Sequence, residues 1–375
     1  MKRTDVAIIG AGISGLYAGW LLEKTGIDYA ILEGRPMTGG RLMVCAPDDA
    51  PDAPAVSRND RVDLGATWLW PAIQPQLHEL LITLGVTLIP QNETGDMIYE
   101  RARNLVSRHP GYTSSPAAMR VRGGMRRVTE ALEARLLPGR VETDRRVQRI
   151  TQAGEDILIE SVSPEGEAHS LHARHVLLAL PPALAAAITF DPPLPDALAH
   201  VWRNTATWMA PHAKYVAFYT QDFWREQGLS GEARSGAGPM AEIHDVSVPG
   251  DVYALFGFLG VPAQTRRATD DATLRQLCRV QLARLFGEAA AHPIADVIKD
   301  WANDPFTAAA SDLTLQPGHT VPPAAPADGA WQARLTGIAS EWSPLFPGYL
   351  AGAIDAADEA INALLKRSHD NPGRQ

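Results

Sequence analysis

The chain predicts an α/β protein of two domains that opens on a Rossmann-type nucleotide-binding unit. Three observations carry that expectation. Its 375 residues exceed what one ordinary hydrophobic core accommodates. Residues 6–9 form a strand-like apolar run that leads through Gly10-Ala11-Gly12-Ile13-Ser14-Gly15 into a helical run and a second strand ending at Glu33. Strand-like and helix-like periods then recur along the remaining chain.

Taken in order, Gly10 permits a sharp turn out of the strand, and Gly12 lets backbone amides approach a pyrophosphate. Gly15 lets the helix lie close on the sheet. Ile13 and Ser14 start a helix whose free N–H groups and dipole favour phosphate charge, with Leu16, Leu21 and Leu22 on one stripe. Glu33 stands about 20 residues past the turn, where a carboxylate accepts from a ribose. Residues 46–59, rich in Pro, Asp and Ala, read as a surface loop, as do residues 322–328. Residues 156–160 alternate like a half-buried strand, and residues 175–180 form an apolar run stopped by Pro181-Pro182. In residues 213–219 a period of two puts Lys214 on one face with Val216 and Phe218. Spacing alone makes that lysine a side chain that snorkels to water. Leu274, Leu277, Leu282 and Leu285 mark an amphipathic surface helix. A strand over residues 335–339, a loop over 340–347 and a helix from Gly348 carrying Leu350, Ile354, Ala357, Ile361 and Leu364 close the chain.

Composition narrows the function. With 45% apolar and 21% charged residues the chain is globular, and a formal charge of −9 without a basic block argues against a nucleic-acid partner. The longest apolar stretch, residues 175–190, is broken by prolines and too short to span a bilayer, so no membrane association is expected. The first residues contain no signal core and the two cysteines, Cys45 and Cys278, form no framework, which predicts a cytoplasmic protein. His212, His244 and His319 lack metal-ligand spacing, and no metal is expected. Glu242 and Asp245 read as solvated loop carboxylates in preference to partners for a cationic substrate, a reading that stays open.

Several separated motifs, in order and nearly end to end, give the chain a resemblance to the flavin-dependent amine oxidases, the family of monoamine and polyamine oxidases. The opening block with Glu33, Gly34, Arg35 and Gly39-Gly40-Arg41 looks like that family's FAD-binding entry. Leu64-Gly65-Ala66-Thr67-Trp68 is similar to the segment passing along the flavin, and Gly124-Met125 to a second glycine contact. Val147 corresponds to the strand whose backbone meets the adenine, and Leu180-Pro181 to the strand returning the chain between domains. Lys214-Tyr215-Val216 with Phe223-Trp224-Arg225 resembles the lysine-bearing strand, and Trp301 the tryptophan segment near the flavin ring. Ser340-Glu341 and Gly348-Tyr349 look like the final motif, whose helix starts beneath the isoalloxazine.

The resemblance implies an FAD domain of residues 1–70, 117–185 and 298–375, and a mixed-sheet substrate domain of residues 71–116 and 186–297. It implies oxidation of a small-molecule amine to an imine and then a carbonyl compound, by hydride transfer to flavin N5, with oxygen reduced to hydrogen peroxide. Lys214 and Tyr349 are the implied catalytic residues, the lysine beside N5 through a water and the tyrosine as one wall of an aromatic cage. Trp68, Ser311 and Trp342 are implied to border the substrate. Ser311 replaces the family's other cage tyrosine, and residues 307–311 carry no cysteine, so the FAD is expected to be non-covalent. A desaturase or dehydrogenase using another acceptor, an amino-acid oxidase, and a non-catalytic nucleotide-binding protein stay open, as does the oligomeric state.

Overall fold

The computed structural model describes residues 2–49, 61–313 and 321–370. Residues 50–59 of the expected surface loop, and His319, lie outside these. Two large sheets organise the described chain. In the first, strand Lys2–Ile9 lies parallel to Tyr29–Leu32 on one side and to Ala168–Leu178 on the other. Its inner residues Val6, Ala7, Ile8 and Ile9 are buried on both faces, as parallel strands covered by other elements must be. Arg146–Ala153 and Asp156–Val162 extend the sheet as an antiparallel meander. Short strands Val141–Glu142, Thr189–Asp191 and Leu335–Gly337 complete it.

The helix after the glycine turn runs from Ile13 to Thr25, buries Leu16 and Leu22, and ends in left-handed Gly26. Against it packs the closing helix, Leu350–Asp370, through Ile354, Ala357, Ile361 and Leu364. The Tyr17 hydroxyl donates to Asp358 at 2.9 Å across this pair. Both helices thus cover one face of this first sheet. The closing helix begins at Leu350, two residues later than the pattern predicts, because Gly348 and Tyr349 still belong to a turn in which Gly348 N–H donates to Ser340.

The second sheet orders Ala295–Asp300, Ala213–Tyr219, Tyr253–Leu259, Met240–Asp245, Leu229–Ser235, Asp96–Ala102 and Leu105–His109. Its central strand Ala213–Tyr219 is buried along its whole length, yet alternation still sorts its faces. Ala213, Tyr215, Ala217 and Tyr219 face the core beneath helix Asp271–Phe286. Val216 and Phe218 face a smaller cluster with Leu64, Phe256 and Cys45, the side to which Lys214 also points. Glu242 and Asp245 lie on a strand of this sheet, not in a solvated loop. Glu242 pairs with His244 at 2.6 Å, and the buried Asp245 accepts from Trp224, Arg225 and the Ser247 amide.

Candidate active site

Between the two sheets lies a cavity of about 490 Å³. From the first sheet its wall takes Gly10, Gly12, Ile13 and Ser14 at the turn, then Glu33, Gly34, Arg35 and Val147. Gly10 has φ 107°, and a Cβ there would stand 2.7 Å from the Ala179 carbonyl oxygen, so only glycine makes this turn. Around Gly12 a Cβ would meet nothing within 4 Å, and the helix it caps has no side-chain cap, which leaves the first amides for a ligand. The Glu33 carboxylate is fixed by N–H groups of Ala11 at 2.7 Å and Arg35 at 2.9 Å. Burial raises its proton affinity, and these amide donors oppose that. An uncapped helix start, an open glycine and a fixed carboxylate suit the pyrophosphate and ribose of a dinucleotide.

The middle of the wall is Gly39, Gly40, Arg41, Leu64, Gly65, Ala66, Thr67, Leu180, Pro181 and Ser340. Arg41 is held by Glu341 at 2.6 Å, and that carboxyl, raised by burial, is brought below its ordinary value by the guanidinium. Glu341 therefore stands behind Arg41 and does not line the cavity.

Toward the second sheet the wall turns aromatic, with Trp68, Trp70, Trp208, Phe258, Trp301 and Tyr349. Here sits Lys214, only 2% exposed and so not snorkelling. Its ammonium donates to Gly65 O and Thr67 Oγ1, each at 2.6 Å, and to Asp63 O at 3.3 Å. It also lies 4.3 Å from the Phe256 ring centroid. Burial lowers its proton affinity and Asp63 opposes this; three acceptors for three hydrogens fit the charged form. Trp301 donates its indole N–H to Leu64 O at 2.9 Å, bracing the same segment.

Six expected site residues fall elsewhere. Gly15 faces the turn, where a Cβ would stand 2.0 Å from Gly10 O, which is the packing role its spacing predicts. Gly124 and Met125 lie outside the wall; the Met125 N–H binds buried Asp63 at 2.7 Å and so shapes the Leu64 segment from behind. Trp342 packs edge-on against Trp202, centroids 5.4 Å apart, inside the core of the first sheet. Ser311 is turned to the Arg203 carbonyl at 3.4 Å, away from the cavity. With Glu341 these make six. The sequence reading missed Trp70, Trp208, Met209, His212 and Phe258, whose only signal was proximity in sequence to Trp68 and Lys214 or registration opposite Lys214 in the sheet.

A family model described as flavin containing amine oxidoreductase matches residues 97–365, and one described as NAD(P)-binding Rossmann-like domain matches residues 8–84. Flavin-containing amine oxidase B of Sus scrofa is 27% identical over 464 residues, covering 97% of this chain and 86% of that protein. Among solved structures, putrescine oxidase bound to putrescine superposes with a TM-score of 0.77 at 19% identity over 97% of this chain and 99% of that one. Cyclohexylamine oxidase from Brevibacterium oxydans gives 0.78 at 19% over 98% and 99%. At these identities the structural likeness establishes the shared fold.

Proposed function

Because the chain belongs to the flavin-containing amine oxidoreductases, and is an oxidoreductase on that ground, we propose that its flavin is FAD held without a covalent bond and that it oxidises monoamines with an apolar or aromatic body. The observation that carries the substrate class is the cavity wall. Among the described residues lining it Glu33 is the only carboxylate, and it belongs to the ribose side. A diamine would leave its second ammonium unpaired against Trp68, Trp208, Phe258 and Tyr349, a costly burial. Amino acids fit poorly too, since Arg41 is spent on Glu341 and Arg35 on Asp304, and the other two lining arginines, Arg145 and Arg146, stand beside Val147 at the nucleotide side. Among the described residues neither Cys45 nor Cys278 lines the wall, in support of a dissociable cofactor.

The bound flavin would supply the two-electron acceptor for the amine C–H. Around it the chain's residues bind, orient and exclude water. Gly12, Ile13, Ser14 and Glu33 would hold the nucleotide, while Val147, Leu180 and Pro181 flank it. Trp68, Trp301 and Tyr349 would orient the amine and keep the reacting carbon dry. Lys214, fixed as a cation, would attract the negative charge that develops at the ring and favour the reaction with oxygen that yields hydrogen peroxide. No described helix is long and apolar enough to cross a membrane. A cytoplasmic location is part of the proposal, supported by two free buried thiols, Cys45 and Cys278; cell fractionation tests it.

Anaerobic mixing with benzylamine, cyclohexylamine and putrescine, followed at the flavin absorbance, tests the reading. The expected result is bleaching by both monoamines with kcat/KM at least about 100-fold above putrescine, or roughly 2.7 kcal/mol. Air should restore the colour with one peroxide per cycle, and denaturation should release FAD into the supernatant. Faster bleaching by putrescine, or pigment that stays with the denatured chain, would overturn the respective parts.

A further inference from the structure

We propose that His212 is the proton acceptor that converts the entering ammonium into the free amine at the aromatic end of the cavity. This rests on the oxidase reading above and adds a residue to it. An aliphatic ammonium has a pKa of about 10, so substrate arrives charged at neutral pH, whereas loss of hydride from its carbon needs the nitrogen lone pair. A proton must therefore leave before the C–H bond breaks.

The wall offers few side chains that can take it. Among the described lining residues the candidates are Glu33, Lys214 and His212. Glu33 is on the ribose side with both oxygens engaged by backbone amides. Lys214 spends three hydrogens on three acceptors and has no lone pair to offer. His212 remains, two residues before Lys214 at the mouth of the same strand.

Its place is fixed from several sides. Its amide donates to Met209 O at 3.0 Å, and its carbonyl accepts from Trp301 N–H at 3.0 Å. Arg266 clamps the preceding Pro211 carbonyl at 2.8 Å. Met209 adopts a left-handed φ of 67°, a bend that puts Trp208, Met209 and His212 together on the wall. The Trp208 and His212 rings stand 6.2 Å apart. Nδ1 is buried and the ring interacts with the Met209 backbone, which leaves Nε2 as the nitrogen to meet substrate.

Electrostatics hold the ring neutral and ready. Burial and then Arg266 lower its proton affinity, and the Met209 backbone opposes them without cancelling them. The charged groups nearby are already paired: Arg266 with Asp300 at 2.7 Å and Lys299 with Asp304 at 2.8 Å from the neighbouring strand and turn. Lys214 on its own strand is spent as described, and Arg41 on the facing wall is paired with Glu341. In the step, an N–H bond of the ammonium breaks, its electron pair stays on nitrogen, and the proton bonds to Nε2. The imidazolium then returns the proton to water as product leaves.

The test compares wild type with His212→Gln and His212→Asn. In both variants kcat/KM for flavin reduction by benzylamine at pH 7 should fall about 100-fold. The loss should shrink for a weakly basic fluorinated amine, and added imidazole should recover at least tenfold. Independently of turnover, 13C-labelled histidine resonances should include one signal, absent in the variants, that titrates below about pH 6.5 and shifts when an amine inhibitor binds. Variants that keep the wild-type rate and pH profile, or that lose equal activity on both amines without imidazole rescue, would overturn the assignment. Failure of wild type to oxidise any amine would instead remove the oxidase reading beneath it.

Discussion

Lys214 joins local geometry to chemistry most directly, because one ammonium ties the backbone of the flavin-side segment to the second sheet through Gly65 and Thr67. On the proposed oxidase reading, Lys214→Met should slow flavin reoxidation by oxygen by at least about tenfold in stopped flow, while flavin affinity changes far less. It should also cost about 1–3 kcal/mol in denaturant unfolding, since the Gly65 carbonyl loses its partner in a buried place. Asp304 gives a second residue-scale prediction. Burial raises its carboxyl, but Lys299 at 2.8 Å and Arg35 at 2.9 Å bring it below its ordinary value. A depressed folded pKa means that this contribution is complete above the unfolded carboxyl value, about 4, and disappears as pH falls through the folded one. Asp304→Asn should accordingly lower the melting temperature at pH 7 and lessen the further drop between pH 5 and 3, measured by calorimetry.

At the scale of elements, the start of the closing helix decides how Gly348 and Tyr349 meet the cavity. A Cβ at Gly352 would stand 2.0 Å from the Phe346 carbonyl oxygen, so Gly352→Ala must push the helix start away from residues 343–346. Ser343 Oγ opposes this by donating to Asp355 at 2.6 Å and accepting from the Phe346 amide at 2.9 Å. The expected outcome is a folded protein with lower flavin occupancy, read from the ratio of flavin to protein absorbance after gel filtration. The amphipathic pattern of the helix was legible because it packs along one stripe. Its first residue was not, because the Phe346–Gly352 approach that sets it is a turn contact rather than a period.

On the scale of the whole molecule, the cavity separates two sheets whose cores are distinct, one beneath the paired helices and one beneath Asp271–Phe286. A ligand spanning it links both cores, so removing flavin should loosen the molecule as a whole. At a free flavin concentration 100 times its dissociation constant the stabilisation is about 2.7 kcal/mol, and the apoprotein should melt a few degrees lower. Adding FAD should restore the difference in a concentration-dependent way; equal melting points with and without FAD would contradict a cofactor bound in this cavity.

The sequence by itself determined the elements whose cause is local. The Gly10 turn, the strand carrying Lys214, the helix stripe and the carboxylate at Glu33 follow from backbone sterics and period, and all lie where those rules put them. Only the tertiary structure decided which side chains share the cavity. Trp342, Ser311 and Glu341 lie close in sequence to wall residues yet face a core, a carbonyl and an arginine. Trp208, Met209 and His212 carry no periodic signal and enter the wall through one left-handed bend and an arginine clamp. Periodicity reports which face of an element is buried. Whether that face meets protein or ligand depends on the sheet packed opposite, which no local pattern encodes.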